Sequence, residues 1–577
     1  MPPRPIGYGG VFHTFTGRSS DRSGLFLPIL APIITLLCLV PILRLMLEGV
    51  LIDGSFSSDH LLTVFQASQT WYATWHSVSI SALGTLIALL LGGLFAFLVA
   101  LTNIRGKTAL VFCFMLPMMI PPQITALSWL QLFGPTSALL KMLNLAPPLG
   151  SPQPLYSFQG IALLLGIQHG SIIFLILRAA LRQLPREQVE AARLAGASSW
   201  QVWRDIVLPI TSPALIAGIA MTFVTAIGNF GIPAMLGIPA NIQMLPTLIY
   251  SKLSSFGPSI LSEVAILAIL IGLIATIGVM LHHWLVRGKS FRLHGVVGRP
   301  LALSLGRYRL AVELGLWALL GIIFVIPMLA LISASLVPAF GLTLSAETAS
   351  LEAYREVLFR QGATIRAFGN SFALSLGAAL MLFALTVPLA YGMNREKNRL
   401  AYLLNILVEV PYALPGIVLA IACILTFQRI PLIDVSLYGT LAIIFVAYLA
   451  RFFVISLRPV LSSFQQMDPN LEEAAQACGA SRGRRIIDIL LPAVAPSAAA
   501  GGLLVFLTAF NELTVSALLW SSGNETLGVI IFNLDDSGDS VLASAVAVLV
   551  VAVILVLMAL VELLGNQLPK GVVPWRS

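Results

Sequence analysis

Two stretches of this 577-residue chain carry the same residues at the same spacing. One reads Glu190-Ala191-Ala192, then Gly196, then Leu208-Pro209; the other reads Glu473-Ala474-Ala475, then Gly479, then Leu491-Pro492. A glutamate in the first turn suits the positive end of a short helix. The alanines admit another surface closely, and glycine turns the chain where a side chain would obstruct. The chemistry on offer is recognition. No spacing of Ser, His, Asp, Glu or Cys sets a nucleophile beside a base or builds a catalytic metal centre. Cys38, Cys113, Cys423 and Cys478 follow neither a disulfide framework nor a metal-ligand pattern. The chain carries no G-x-x-x-x-G-K-[ST] phosphate loop, so energy must come from another polypeptide or from an ion gradient.

The elements that position these stretches follow from composition. The chain is 58% apolar and 10% charged, against roughly 25% charged in soluble domains, and its apolar residues come in long runs. Continuous rather than alternating runs exclude an outer-membrane barrel. At about 20 residues per span, the runs predict an all-α integral membrane protein of about twelve transmembrane helices. The expected segments are 27–48, 76–102, 108–131, 159–180, 211–236, 264–286, 310–337, 368–393, 400–426, 437–457, 493–520 and 541–565. The polar stretch 287–309 divides them into two groups of six, giving domains 1–297 and 298–577.

Charge sets the expected orientation. With the amino terminus inside, 26 of the 33 Lys and Arg fall in cytoplasmic loops and six on the opposite side, with Arg44 near the outer end of the first span. Both termini are therefore expected in the cytoplasm. The stretch before residue 27 has neither an apolar core nor a small-residue cleavage site, so the first span is not read as a removable signal.

The two groups of six are copies of one unit. At an offset of 283, 13 of the 29 positions from Glu190 to Gly218 are identical to those from Glu473 to Gly501, among them Asp205/Asp488, Pro209/Pro492 and Pro213/Pro496. Upstream, Pro117 and Pro121 match Pro411 and Pro415 at an offset of 294; these prolines are expected to kink the third and ninth spans. Six spans per copy preserve the orientation, so the repeat is parallel, with a pathway expected between the halves. A single Glu-Ala-Ala loop could be an amphipathic connector. Two alike on one face call for a partner with two equivalent sockets.

These motifs resemble the cytoplasmic "EAA" loop of membrane-spanning subunits in binding-protein-dependent ABC importers. The resemblance covers nearly the whole chain and implies a type I importer fold with two fused permease halves. It further implies that each loop is a coupling helix seated in a cleft of an ATP-hydrolysing subunit. The expected partners are thus a homodimeric ATPase, which would hold ATP and Mg where this chain holds no cofactor, and an extracytoplasmic solute-binding protein. The expected location is the bacterial cytoplasmic (inner) membrane, with no role for nucleic acid. Gly228-Asn229-Phe230-Gly231-Ile232-Pro233-Ala234 and Asn511-Glu512-Leu513-Thr514-Val515 resemble the branch that serves ferric iron, thiamine or aminoethylphosphonate. Ferric iron is the expected solute, and those others the alternatives.

Polar residues within spans face cavities or neighbouring helices. Asn229, Asn511 and Glu512 lie at matching depth in the two halves and are candidates for the pathway, as is Glu409 before Pro411; interhelical hydrogen bonding is the competing role. The seven histidines do not cluster as an iron cage would, so selectivity for iron would rest with the binding protein. The acidic stretch 520–540, with Glu525, Asp535, Asp536 and Asp539, reads as a solvated outer loop or as a face toward that protein. A secondary transporter would use coupling charges near the midplane and would need no paired sockets.

Overall fold

The structure, a computed structural model, describes residues 26–49, 51–52, 55–56, 59–255, 260–286, 303–396, 398–428 and 435–564. The expected boundary at 297 and the basic residues of both termini lie outside them. A membrane offers no partner to a free backbone N–H or C=O, so long apolar sequences fold as helices. Among the described residues ten helices are long and apolar enough to cross, and two bent pairs raise the spans to twelve if each pair counts once. In chain order they are α1 (Leu27–Glu48), α2 (Ser68–Leu101), the pair α3 (Lys107–Met119) and α4 (Pro122–Leu132), α5 (Phe158–Arg182), α6 (Trp200–Ile227) and α7 (Ile260–Val286). The second half supplies α8 (Gly306–Ser335), α9 (Gly362–Arg395), the pair α10 (Arg399–Ala413) and α11 (Gly416–Phe427), α12 (Leu441–Gln466), α13 (Arg485–Ala509) and α14 (Ser540–Leu563). The only β-strands among the described residues are Leu51–Ile52 and Ser55–Phe56, which pair antiparallel.

The prolines do more than kink. The chain turns by 101° between α3 and α4 and by 111° between α10 and α11. Pro117 and Pro411 stay inside their helices, whereas Pro121 and Pro415 stand at the turns. The residues before them, Ile120 (ψ 129°) and Leu414 (ψ 145°), are extended, the conformation a following proline imposes. The fifth and eleventh spans also end earlier than expected. Helix α6 ends at Ile227 and α13 at Ala509, which leaves Asn229, Asn511 and Glu512 in irregular chain beyond them.

Within the first half α2 packs along α5, and Gly92 approaches the Gly170 carbonyl so closely that a Cβ would have no room, a small-residue contact of the kind that joins helices in membranes. The first spans are exchanged: α1 packs against α9, α10 and α11 of the second half, and α8 packs against α3 and α4 of the first. Backbone bonds tie the halves where α2 ends, with the Leu303 N–H donating to Leu101 at 2.6 Å and the Asn103 N–H donating to Leu303 at 3.2 Å.

Arg451 and Arg458, both counted among the loop cations, lie inside α12, Arg451 near its middle, because that helix continues to Gln466 rather than ending at 457. Glu525 also departs from expectation. It is buried, accepts from the Gly523 N–H at 2.9 Å and lies 3.5 Å from Arg366 of α9. Asp535 accepts from Ser540 at 2.7 Å, while Asp536 and Asp539 are exposed.

Candidate functional site

The two loops fold alike down to individual hydrogen bonds. The first loop helix spans Arg186–Leu194 and the second Pro469–Ala477. Glu190 and Glu473 are the fifth residue of each, just past the first turn, which Glu187 and Glu472 occupy. Both helices close with the same pair of reversed bonds: Gly196 N–H to Arg193 (3.0 Å) and Ala197 N–H to Ala192 (2.9 Å), against Gly479 to Gln476 (3.0 Å) and Ala480 to Ala475 (3.0 Å). This Schellman closure requires a left-handed residue, and Gly196 and Gly479 supply it at φ 86° and 80°. Ser198 and Ser481 then accept from the N–H groups of Gln201 and Arg484 at 3.3 and 3.5 Å.

The return into the spans is also shared. A π-turn, Trp203–Val207 or Arg485–Leu490, precedes Leu208-Pro209 or Leu491-Pro492. Each proline lacks the N–H that a regular turn would use, and the wider turn accommodates it. Glu190, Ala191 and Gly196 are exposed, as are Glu473, Ala474 and Gly479, while Ala192 and Ala475 are half-buried. Glu190 pairs with Arg186 at 2.5 Å. Leu194 is 90% exposed at the end of the first loop helix, and the exposed Trp200 stacks on Trp203.

The halves meet at a second conserved geometry, an elbow of one half against a break of the other. Gly228, just past α6, lies against Pro415; a Cβ on it would stand 3.1 Å from the proline Cβ. Reciprocally, Gln123 at the start of α4 donates to the Asn511 carbonyl at 3.2 Å. Beyond the breaks, Asn229 accepts from the Ile232 N–H at 3.1 Å, and Glu512, at the matching position, accepts from the Val515 N–H at 2.8 Å and from Thr514. Asn511 is 5% exposed, and both polar atoms of its side chain lack a partner among the described residues. An aromatic group of Phe230, Tyr250 and Phe532 crosses between the halves, with ring centroids 5.2 to 5.9 Å apart. Glu409 stands apart from this junction and pairs with Arg458 of α12.

Three residues of the junction were not among the sequence candidates. Gln168 of α5 donates to the carbonyls of Pro117 (2.6 Å) and Ile120 (3.0 Å), and accepts from Thr125 (2.8 Å). Pro121 has no N–H to offer the Pro117 carbonyl, so Gln168 supplies what the elbow lost. Arg451 of α12 does the same work in the second half by donating to the Leu414 carbonyl. The repeat pairs Gln168 with Arg451 at offset 283 and Ile120 with Leu414 at offset 294, a signal available in the sequence. Gln123 is the third. Among the described residues no group of three or more His, Cys, Asp or Glu side chains converges as a metal site would.

Comparison with known proteins agrees with this duplicated plan. The sequence model of a family described as the binding-protein-dependent transport system inner membrane component matches residues 84–290 and again 384–568. A probable ABC transporter permease of Sinorhizobium fredii is 28% identical over 550 residues, 93% of this chain and 95% of that protein. The ferric transport system permease FbpB of Actinobacillus pleuropneumoniae is 24% identical over 491 residues, 82% of this chain and 69% of its own. The molybdenum transport system permease ModB of Escherichia coli is 28% identical over 219 residues, 38% of this chain and 93% of its own.

Proposed function

The chain belongs to the family of binding-protein-dependent transport system inner membrane components, and from that membership we propose how it works and what it carries. It is a multi-pass permease of an ABC importer with two fused halves of type I fold. The residues 1–297 and 298–577 form the two halves. A dimer of separate ATPase subunits, holding ATP and Mg, docks on the two loop helices in the cytoplasm, where both termini also lie. A binding protein delivers solute at the opposite end. The observation that carries this reading is that the closing turns at Gly196 and Gly479 match bond for bond: two loops closed alike fit a symmetric partner.

The junction of Gly228 with Pro415 and of Gln123 with Asn511 is the closed gate of the pathway. Asn511 is the group best placed to meet a passing solute, since its amide is buried with no partner among the described residues, a costly arrangement unless something else binds there in turn. Asn229 and Glu512 shape the breaks on either side. Ferric iron is the solute favoured by similarity. Three ferric permeases match 81–82% of this chain, through both halves, whereas the molybdenum and spermidine/putrescine permeases match 31–38%.

The test is purification of the chain with its companion ATPase, followed by uptake of radioactive ferric iron into proteoliposomes charged with the binding protein. ATP-dependent uptake is expected. Failure to retain any ATPase would defeat the docking reading; ATP-dependent uptake of another solute but not of iron would defeat only the substrate.

A further inference from the structure

The two loop helices share their Glu-Ala-Ala motif and their closing turn, but they are fastened underneath by different chemistry. In the second half, Glu472 of the loop helix is 8% exposed and accepts from the Tyr391 hydroxyl at 3.0 Å. Its carboxylate also lies 3.5 Å from Arg485, at the start of α13, and 3.7 Å from Arg395, at the end of α9. Arg485, itself 6% exposed, reaches back to Gln476 of the loop helix at 2.7 Å. One carboxylate thus joins three elements: the loop helix, the span that follows it and the end of α9.

The repeat identifies the first-half counterparts. At offset 283, Glu472 and Arg485 correspond to Val189 and Val202; at offset 294, Tyr391 and Arg395 correspond to Phe97 and Leu101. The upstream offset holds in three dimensions, since Ser77 and Ser371, 294 apart, accept from the N–H groups of Leu245 and Leu527 at 2.7 and 2.9 Å. All four first-half counterparts are apolar, with Val189, Val202 and Leu101 buried. A polar clasp in one half therefore stands where the other has apolar residues, while the exposed Glu190/Glu473, Ala191/Ala474 and Gly196/Gly479 are the same in both.

We infer that Glu472 is a positioning residue that ties the second loop helix to α9 and α13, so that displacement of this loop is passed to the second half by directional bonds and in the first half by apolar packing. The inference rests on the docking reading above. The two fastenings respond differently to force. A hydrogen-bonded charge cluster holds one geometry until it breaks, because a buried carboxylate left without partners is costly, whereas apolar burial is non-directional and imposes no single geometry of its own. An apolar cavity of about 180 Å³ lies beside Tyr391, lined by Val387, Pro388, Phe464, Ile486 and Leu490, and gives the clasp somewhere to go when it moves.

The experiment compares the wild type with E472V, R485V and the double variant E472V/R485V, which installs the first-half pair. Two measurements are made. In the permease alone, in lipid nanodiscs, hydrogen exchange of 469–490 should quicken by about tenfold in E472V while 186–207 is unchanged. In the complete complex with ATPase and binding protein, solute taken up per ATP hydrolysed should fall by about tenfold in each single variant and recover in the double. Unchanged exchange in E472V, or a double variant as impaired as the single ones, overturns the inference. Loss of ATPase from the wild-type complex would defeat the docking reading alone, since the exchange measurement needs no partner.

Discussion

Gly228 and Pro415, 187 positions apart in the chain, are in contact across the two halves, with room at the glycine for a hydrogen and little more. Gly228 has an ordinary φ of −87°, so space and not conformation is what the position demands. Overpacking typically costs about 1–3 kcal/mol. Gly228→Val is therefore expected to prise the junction open. Solute leakage through proteoliposomes lacking ATP should rise above the wild-type level, with Gly228→Ala intermediate; a tight G228V vesicle would count against a gate at this contact.

Gln168→Leu strands the carbonyls of Pro117 and Ile120 in an apolar setting, at an expected cost of about 1–3 kcal/mol. Arg451→Leu is expected to cost more because it also strips a charge from the neighbourhood of Glu512. Arg451→Gln, which copies the first half, should keep the bond to Leu414 and recover part of the loss. Thermal unfolding in detergent, followed for all three, gives the ranking.

At Gly196 and Gly479 nothing lies within 4 Å of where a Cβ would be, so bulk is not the difficulty there. The left-handed backbone is, at about 1–2 kcal/mol for an ordinary residue. Asparagine tolerates that region. Uptake should thus survive Gly479→Asn far better than Gly479→Val, and equal loss in the two would point to a partner that needs the empty space.

Charge reversal at Glu190 or Glu473 should leave the chain folded and inserted, since both side chains are exposed, while ATP-driven uptake falls by at least about tenfold. Co-purification of the ATPase with each variant separates weakened docking from lost transmission.

Burial opposes ionisation of Glu525, yet the Gly523 N–H and the Arg366 guanidinium together hold its carboxyl below the usual carboxylate value. A depressed folded pKa means stabilisation that is complete above the unfolded value of about 4.3 and is lost as pH falls through the folded value. The unfolding temperature of the wild type should drop toward that of Glu525→Gln as pH is lowered from 7 to below 4. A gap between the two that persists at the lowest pH would assign Glu525 a role other than its charge.

The sequence made the loops legible because duplication repeats every contributing residue locally: Glu190, Gly196 and Ser198 bond only within their own loop, so spacing carries the geometry. The membrane spans were legible for the same reason, as apolar length is a local property. What escaped depends on residues brought from elsewhere. Arg451 reads as a loop cation until the Leu414 carbonyl, freed at the elbow, is seen beside it. Glu525 reads as solvated until Arg366, 159 positions away, is found against it. Pro121 and Pro415 announce a disturbance, but whether a helix bends or turns through more than a right angle is decided by whether a side chain such as Gln168 waits to take the orphaned carbonyls.

The exchange of α1 and α8 bears on how such a molecule can change over generations. Each half completes the other, and because both are translated together, the first half never has to assemble with a second copy of itself. A substitution at Glu472 or Arg485 has to suit one environment rather than two symmetry-related ones. In a permease built from two identical subunits the same substitution would appear twice, once on each side, and both sides would have to bear it. Fusion therefore releases the interior of each half to diverge, while the motif and closing turn of the two loops stay matched.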